Sequence, residues 1–356
     1  MDKHLFSIID SLGGNHSLSL LDYECLISHR SDEGAMLLAE KASSVRDSLY
    51  GSDIFIRGLI EFSNICKNNC LYCGIRKGNH NCNRYRLKET EIMSCCKTGY
   101  NLGFRTFVLQ SGEDPYFTDE RLARIVEKIK TEYPDCAITL SSGERTKESY
   151  KRLFDAGAER YLLRHEAASK ELFNKLHPKE QLYENRMECA WNLKDIGYSV
   201  GLGFMVSPPF QTEKDLALDL KFIEEFHPDM CGIGPFIPHV NTEFKNYPSG
   251  TVELTCYLLS IIRLIVPEIL LPATTALGTI DPSGREKGIA AGANVIMPNL
   301  SPEETKKKYE LYNGKLCTGS ESAENIKELD KRMRKIGHKI VIDRGDVRRL
   351  PYGNTK

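Results

Sequence analysis

One strand–loop–helix unit occupies residues 106–130, which read TFVLQSGEDPYFTDERLARIVEKIK. The first part, Thr106–Ser111, is rich in β-branched and aromatic side chains and favours a strand. Thr118 is a suitable N-cap, because two acidic residues follow it in the first turn of the predicted helix Thr118–Lys130. Apolar side chains in this helix have the i, i+3, i+4, i+7 spacing of one apolar stripe, and they are Leu122, Ile125, Val126 and Ile129.

The same alternation repeats along the middle of the chain. Strands that alternate with helices of this length predict βαβ units and a parallel sheet. We therefore predict an α/β fold, a (β/α)8 TIM barrel that is complete or partly open. A doubly wound sheet is the alternative, but no G-x-G-x-x-G motif opens a helix after a strand. The eight β-rich runs are Phe55–Ser63, Thr106–Ser111, Ala137–Ser141, Arg160–Arg164, Tyr198–Val206, Met230–Ile237, Ile269–Thr275 and Val295–Leu300.

Helical segments flank the predicted barrel on both sides. The first 50 residues are mostly helix-compatible, and a charged helix at about Ala323–Lys335 precedes a basic tail from Arg344 to Lys356. We predict an N-terminal helical extension at 1–50, the barrel at 51–312, and a short C-terminal helix and tail at 313–356.

The composition excludes several classes of protein. The 356 residues are 41% hydrophobic and 27% charged with a net charge of -1, which favours a sizeable core and argues against disorder or a nucleic-acid partner. The longest apolar run, Cys256–Pro272, is interrupted by Arg263 and Glu268, so it falls short of the ~18–20 residues that span a bilayer. The first residues lack the h-region of a secretory signal. We expect a cytoplasmic protein that has no membrane partner.

Three of the twelve cysteines stand together directly after the first predicted strand. Residues 63–76 read SNICKNNCLYCGIR, in which Cys66, Cys70 and Cys73 have the spacing C-x3-C-x2-C. A closed zinc site would need a fourth ligand, which His80 or Cys82 can supply. A [4Fe–4S] cluster held by three cysteines leaves one iron open for a small molecule, since such clusters normally take four.

The cysteine motif, with Tyr72 before its last cysteine, resembles the signature of the radical S-adenosylmethionine (SAM) enzymes. The resemblance implies that Cys66, Cys70 and Cys73 bind a [4Fe–4S] cluster whose open iron chelates SAM. It also implies reductive cleavage of SAM to methionine and a 5′-deoxyadenosyl radical, with the cofactors carrying the chemistry.

Further strings at the predicted strand ends resemble the HydE family of [FeFe]-hydrogenase maturases. The resemblance implies a role in assembly of the H-cluster, with a small iron-complex substrate made by HydG, a product passed to HydF, and a reductant protein. Methylornithine synthase and biotin synthase are similar but match less well, and a non-catalytic iron–sulfur scaffold is the alternative from another class. The strings are Arg57–Ser63, Val108–Asp114, Arg160–Glu166, Gly232–His239, Pro272–Ala276 and Val295–Asn299.

The resemblance also assigns site residues. Gln110, Ser111 and Glu113 would meet the methionine ammonium of SAM, and Thr139 and Ser141 would bond SAM directly. The remaining SAM contacts are Glu166 on the ribose hydroxyls, Arg186 on the carboxylate and Met230 near the adenine.

Four residues are implied to contact an anionic substrate: Arg160, Arg164, Thr274 and Thr275. The two arginines are an even number of positions apart on one strand and are expected to share a face. Internal ion pairs with Glu61 or Glu113 are the alternative.

Two departures from the HydE family stand out. Only Cys317 lies beyond residue 300, so we predict no second cluster there. The family's glycine-rich turn is replaced by Met205-Val-Ser-Pro-Pro-Phe-Gln-Thr212, in which Ser207 and Phe210 stand in place of glycines and alter the allowed backbone angles, so the family's SAM contact is not carried over to this loop. No family role falls to Cys82, Cys95 or Cys96.

Overall fold

A ring of parallel strands forms the centre of the molecule, whose computed structural model describes residues 3–317 and 322–349. Six strands follow one another around it, and every pairing among them is parallel; in order they are Gly58–Ser63 (β2), Thr106–Ser111 (β3), Ala137–Ser141 (β4), Arg160–Leu162 (β5), Ser199–Leu202 (β6) and Met230–Cys231 (β8). The strands are β1 Asp53–Ile56, β2 Gly58–Ser63, β3 Thr106–Ser111, β4 Ala137–Ser141, β5 Arg160–Leu162, β6 Ser199–Leu202, β7 Met205–Val206, β8 Met230–Cys231, β9 Gly234–Pro235, β10 Val295–Ile296 and β11 Lys339–Val341.

Single parallel bridges close the ring. Met230 bridges to Leu270, and Pro272 bridges to Val295 in β10. Strand β10 then pairs with β1, and a bridge from Leu59 to Asn299 completes the circuit. These pairings confirm the predicted TIM-barrel fold and its eight strand positions.

Several predicted strands are shorter than their β-rich runs. The run Tyr198–Val206 divides at Gly203, where a Cβ atom would lie 2.1 Å from the carbonyl oxygen of Gly232. The predicted strand Ile269–Thr275 is reduced to isolated bridges, because Thr275 already begins a helix. The β-rich runs therefore predict where each strand lies but not where it ends.

Helices surround the ring. The capping box of Thr212 and Asp215 is present at the start of α9, and Gly157 follows α6 with a φ of 109°. The helices are α1 Lys3–Asn15, α2 Leu20–Ser28, α3 Asp32–Tyr50, α4 Glu89–Asn101, α5 Asp119–Glu132, α6 Lys147–Asp155, α7 Lys170–Leu176, α8 Tyr183–Ile196, α9 Glu213–Phe226, α10 Val252–Ile265, α11 Thr275–Ile280, α12 Gly284–Ala290, α13 Glu303–Lys306 and α14 Ile326–Lys335. Within the described ranges, no helix combines the length and hydropathy of a membrane span.

The predicted N-terminal extension is helical and shares a core with the barrel helices. Leu12 of α1, Tyr23 of α2 and Leu38 of α3 are fully buried in one cluster with Leu220 and Ile262 of α9 and α10. The three helices therefore extend the barrel's own apolar packing.

The C-terminal part contains a strand that was not predicted. A 3₁₀ turn at Ala323–Asn325 and helix α14 lead into β11, which pairs in parallel with β1. Beyond β11, the carbonyl oxygen of Arg344 accepts hydrogen bonds from Thr106 and Arg160, the first residues of β3 and β5. The tail thus covers the N-terminal end of the barrel. Residues 318–321 and 350–356 of the predicted C-terminal segment lie outside the described residues.

Candidate active site

A cavity of about 360 Å³ opens at the C-terminal ends of the strands, where barrel enzymes carry their chemistry. It brings together residues from several strand ends and from α8. The predicted site residues that line it are Cys66, Cys70, Cys73, Gln110, Ser111, Glu113, Ser141, Arg164, Glu166, Arg186, Thr274 and Thr275.

The cysteine loop follows β2 directly and is held by backbone hydrogen bonds to three other segments. The bonds run from the Lys67 amide to the Glu113 carbonyl (2.9 Å), from the Leu71 amide to the Leu176 carbonyl (3.0 Å) and from the Gly74 amide to the Leu311 carbonyl (2.8 Å). Gly74 permits the last contact, because a Cβ atom there would lie 2.1 Å from the carbonyl oxygen of Glu310. The loop is therefore fixed by its surroundings.

The three thiols face one end of the cavity, which suits an iron–sulfur cluster. Burial, with the charge of neighbouring cysteines, raises the pKa of Cys70 and raises that of Cys73 to about 12. In residues 3–317 and 322–349, no three His, Cys, Asp or Glu side chains are arranged around a single-ion position. A cluster joins each cysteine to a different iron, so its thiolates need not meet at one point.

The loop after β3 lies against the cysteine loop. At Gly112 a Cβ atom would lie 2.4 Å from the carbonyl oxygen of Ile65, so only glycine allows this approach. Glu113 pairs with Lys67 at 3.2 Å and accepts a hydrogen bond from the Glu144 amide at 3.0 Å. The loop that the resemblance assigns to the methionine ammonium is thus placed beside the cysteines.

Glu166 stands at the mouth in a strained backbone conformation. Its φ is 66°, and its amide donates to the Gly203 carbonyl at 3.0 Å. Its Oε2 lies 3.2 Å from Nη2 of Arg164 but forms no hydrogen bond with satisfactory geometry. Left-handed conformations of non-glycine residues cluster at ligand sites, and here one holds a carboxylate at the cavity.

Arg186 of α8 reaches the same cavity in a fixed orientation. Its Nε donates to Glu144 at 2.6 Å, and its Nη1 donates to the Arg164 carbonyl at 2.7 Å. Burial alone would lower the pKa of Arg186, but the surrounding anionic groups, Glu144 foremost, raise it above its ordinary value. The guanidinium is therefore a permanent, oriented cation.

Arg160 is not brought to this cavity, which corrects its expected role as a substrate contact. It is the first residue of β5, and its Nη2 donates to Asp346 at 2.6 Å at the opposite end of the barrel. Arg160 and Arg164 are four residues apart, which corresponds to about 13 Å along a strand. The two arginines therefore lie too far apart along the strand to contact one ligand, even if their side chains share a face. The alternative, an internal ion pair with Glu61 or Glu113, is not observed either, since Arg164 pairs with Glu166 and Arg160 pairs with Asp346.

Thr139 and Met230 also lie away from the cavity lining. Thr139 is fully buried in β4, two residues before Ser141, and its Oγ1 has no hydrogen-bond partner. Met230 begins β8, and its sulfur accepts a hydrogen bond from Nη1 of Arg57 at 2.6 Å. Their placement does not support direct contact with SAM.

The segment 307–316 contributes cavity residues that the sequence did not reveal. Tyr309, Tyr312 and Lys315 line the cavity, although they follow the last predicted strand. The Lys315 ammonium donates to the buried carboxylate of Glu61 and to the Tyr309 carbonyl. The segment also crosses the predicted boundary at residue 312. These residues do not follow a predicted strand end and match no motif, so no sequence pattern indicates that they line the cavity.

The loop Met205–Thr212 keeps the backbone of a glycine turn without the glycines. Ser207 has a φ of 60° and Phe210 a φ of 71°. The Gln211 side chain supports the turn, because it accepts from the Ser207 amide at 2.6 Å and donates to the Met205 carbonyl at 3.0 Å. Two residues with side chains therefore hold left-handed backbone conformations that glycine adopts without strain.

The sequence matches the family model of the radical SAM superfamily over residues 60–223. The [FeFe] hydrogenase maturase subunit HydE of Thermotoga maritima is 44% identical over 313 residues, which are 88% of this chain and 89% of HydE. The chain belongs to the radical SAM superfamily. Within it, the identity to HydE places this radical SAM enzyme in the HydE family. Radical SAM enzymes use an iron–sulfur cluster and SAM, and the cysteine loop and its cavity supply the residues that would hold them.

Three further matches cover nearly the whole length of this radical SAM enzyme. The 3-methylornithine synthase of Methanosarcina barkeri is 30% identical over 345 residues, 95% of this chain and 96% of the synthase. A crystal structure of methylornithine synthase superposes with a TM-score of 0.82 at 27% identity, covering 94% of this chain and 97% of that one. A crystal structure of HydG, at 20% identity and a TM-score of 0.80, shares the fold.

Proposed function

We propose that Cys66, Cys70 and Cys73 bind a [4Fe–4S] cluster and that this radical SAM enzyme acts, in the cytoplasm, in maturation of the [FeFe]-hydrogenase H-cluster. The observation that carries the proposal is that the three thiols and the oriented pair Glu166 and Arg186 line one cavity. The identity to HydE supports the maturation role.

The cavity residues account for the binding of SAM. Arg186 would donate to the carboxylate of the methionine moiety through the Nη hydrogens that the Arg164 carbonyl leaves free, because guanidinium and carboxylate form strong charge-assisted hydrogen bonds. Glu166 would accept hydrogen bonds from the ribose hydroxyls, and residues 110–113 and Ser141 would contact the methionine moiety. The chemistry that the bound cluster supplies is one-electron cleavage of SAM to methionine and a 5′-deoxyadenosyl radical.

The substrate side of the cavity favours an anionic small molecule. Arg164 lines it together with Thr274 and Thr275, and the Thr274 hydroxyl is buried without a hydrogen-bond partner. A polar ligand would satisfy that hydroxyl. We propose a small iron complex supplied by HydG as substrate, transfer of the product to HydF, and an external reductant protein.

Anaerobic reconstitution with iron and sulfide, followed by dithionite and SAM, tests the enzyme activity. We expect 5′-deoxyadenosine from the wild type and none from Cys70→Ala. Glu166→Gln and Arg186→Met should keep the cluster but weaken SAM binding at least tenfold, because each loses a directed contact. A wild type that binds no iron–sulfur cluster, or one that forms no 5′-deoxyadenosine, would contradict the proposal.

A methylornithine synthase-like activity is the second candidate, because that synthase matches the fold over 94% of this chain. The two functions differ in substrate, so incubation with L-lysine in the same assay separates them. Formation of methylornithine would favour this second function, whereas consumption of a cysteine-bound iron–carbonyl–cyanide complex would favour maturation.

A further inference from the structure

Gln181 lies between α7 and α8 with its side chain against the cysteine loop. The side chain is only 8% exposed and lines the cavity. Sγ of Cys70 lies 3.3 Å from Oε1 of Gln181, a hydrogen bond that the protonated thiol donates. Nε2 of Gln181 is buried and has no hydrogen-bond partner among the described residues.

Binding of iron would change the Cys70 sulfur from a hydrogen-bond donor into an acceptor. A metal-bound cysteine is a thiolate, which has no proton to donate. The amide oxygen of Gln181 would then face another acceptor. A half-turn of the amide exchanges its oxygen and nitrogen in nearly the same positions. Because Nε2 has no partner to lose, this rotation breaks no other hydrogen bond and presents an N–H donor to the sulfur.

Two other polar side chains beside the cysteine loop, Tyr72 and His177, already have hydrogen-bond partners. The Tyr72 hydroxyl bonds to Nε2 of His177 at 3.1 Å, and Nδ1 of His177 bonds to the Phe173 carbonyl at 2.8 Å. Gln181 is therefore a neutral donor that is held within reach of the sulfur and is free to turn toward it.

We propose that Gln181 donates an N–H···S hydrogen bond to the Cys70 thiolate of the bound cluster and thereby raises the cluster's reduction potential. The inference rests on the proposed [4Fe–4S] site. Hydrogen bonds to cluster sulfurs favour the reduced state, because that state carries more negative charge. The step concerned is transfer of one electron from the external reductant to the cluster, and the amide proton stays on Nε2. Gln181 is thus a positioning residue that sets how readily the cluster is reduced.

The test is an EPR-monitored redox titration of the reconstituted full-length protein. Gln181→Leu removes the donor and should lower the equilibrium constant for reduction about tenfold, which is about 59 mV for one electron. Gln181→Glu presents a second anion to the sulfur and should lower the potential further. Gln211→Leu is the matched control, since among the described residues its side chain hydrogen-bonds only to the backbone of Met205 and Ser207, and this variant should keep the wild-type potential.

Iron and sulfide analysis accompanies each titration. Full cluster loading with a wild-type potential in Gln181→Leu would overturn the inference and leave the proposed function intact. If the variants fail to hold a cluster, the wild type labelled with ¹⁵N in glutamine side chains decides by pulsed EPR, where absence of ¹⁵N coupling to the reduced cluster overturns the inference. A wild type without any cluster overturns both proposals.

Discussion

At Ser207, a residue with a Cβ atom occupies a conformation that glycine adopts without strain. Its φ of 60° belongs to the left-handed region, and the Gln211 side chain holds the turn in place. The strain at Ser207 is local, so relieving it should change stability without altering the fold.

We predict that Ser207→Gly is more stable than Ser207→Ala by about 0.5–1 kcal/mol, after allowing for the greater chain entropy of unfolded glycine. Both variants lose the hydroxyl, but only glycine loses the Cβ atom that causes the strain. Urea unfolding of the two variants measures the difference. An alanine variant as stable as the glycine variant would show that Ser207 carries no strain.

His177 makes the folded state sensitive to acid. Burial, aided by the Arg186 charge, lowers the pKa of His177 to about 3 from its ordinary value of 6.5. Below about pH 6.5 the unfolded chain therefore takes up a proton that the folded protein does not, and stability falls as the pH falls toward 3.

We predict that His177 costs the wild type about 2 kcal/mol of stability between pH 7 and pH 5, and that His177→Gln removes this loss. Glutamine keeps a polar group near the Tyr72 hydroxyl but does not titrate. The measurement is the free energy of unfolding in urea at both pH values for both proteins. Equal losses in the two proteins would show that His177 is protonated when folded.

Among the elements, the segment 307–316 is attached to the barrel wall by a buried ion pair. The Glu61 carboxylate in β2 is fully buried and accepts from Lys315 and from Asn299. Removing one partner leaves the other charge buried and unpaired, which costs far more than removing both.

We predict that Lys315→Met lowers the free energy of unfolding by about 3 kcal/mol and that the double variant Lys315→Met/Glu61→Gln recovers most of it. The neutral glutamine amide keeps the contact with Asn299 without a buried charge. Urea unfolding of wild type, both single variants and the double variant completes the cycle. Additive effects in the double variant would mean that the two residues do not interact.

The elements also show what sequence patterns can predict. Runs of β-rich residues predicted all eight strand positions, and the capping box at Thr212 was found because helix caps depend on residues close together in the chain. The cysteine loop was recognised for the same reason. Lys315 and the strand at Lys339–Val341 were missed, since their roles depend on partners far away in the chain. Arg160 was misplaced because periodicity gives the face of a strand and not the depth along it.

For the molecule as a whole, different parts of the C-terminal region lie at the two ends of the barrel. The segment 307–316 lies at the cavity, whereas β11 and Asp346 cover the opposite end. Strand β1 pairs with β10 on one side and with β11 on the other. The division of the chain into domains at residues 51 and 313 stays a prediction. The contacts of the described residues show that both flanking regions pack against the barrel.

We predict that a chain ending at His338 exchanges the backbone amide hydrogen of Ile54 at least tenfold faster than the full-length chain. Ile54 pairs with β11, whereas the Phe55 amide donates to the Asn294 carbonyl beside β10 and serves as an internal control. Loss of a strand partner removes protection from the amides that face it. Hydrogen exchange followed by NMR gives both rates. Unchanged exchange at Ile54 would mean that β11 does not protect β1.

The pairing of β1 with β11 joins segments about 290 residues apart, which has a consequence during synthesis. The cysteine loop leaves the ribosome long before Lys339–Val341 is translated, and before the segment that carries Lys315 exists. The thiols of the nascent chain therefore lack the walls that later bury them. The cavity around the three thiols is therefore completed only after the segment 307–316 has been translated.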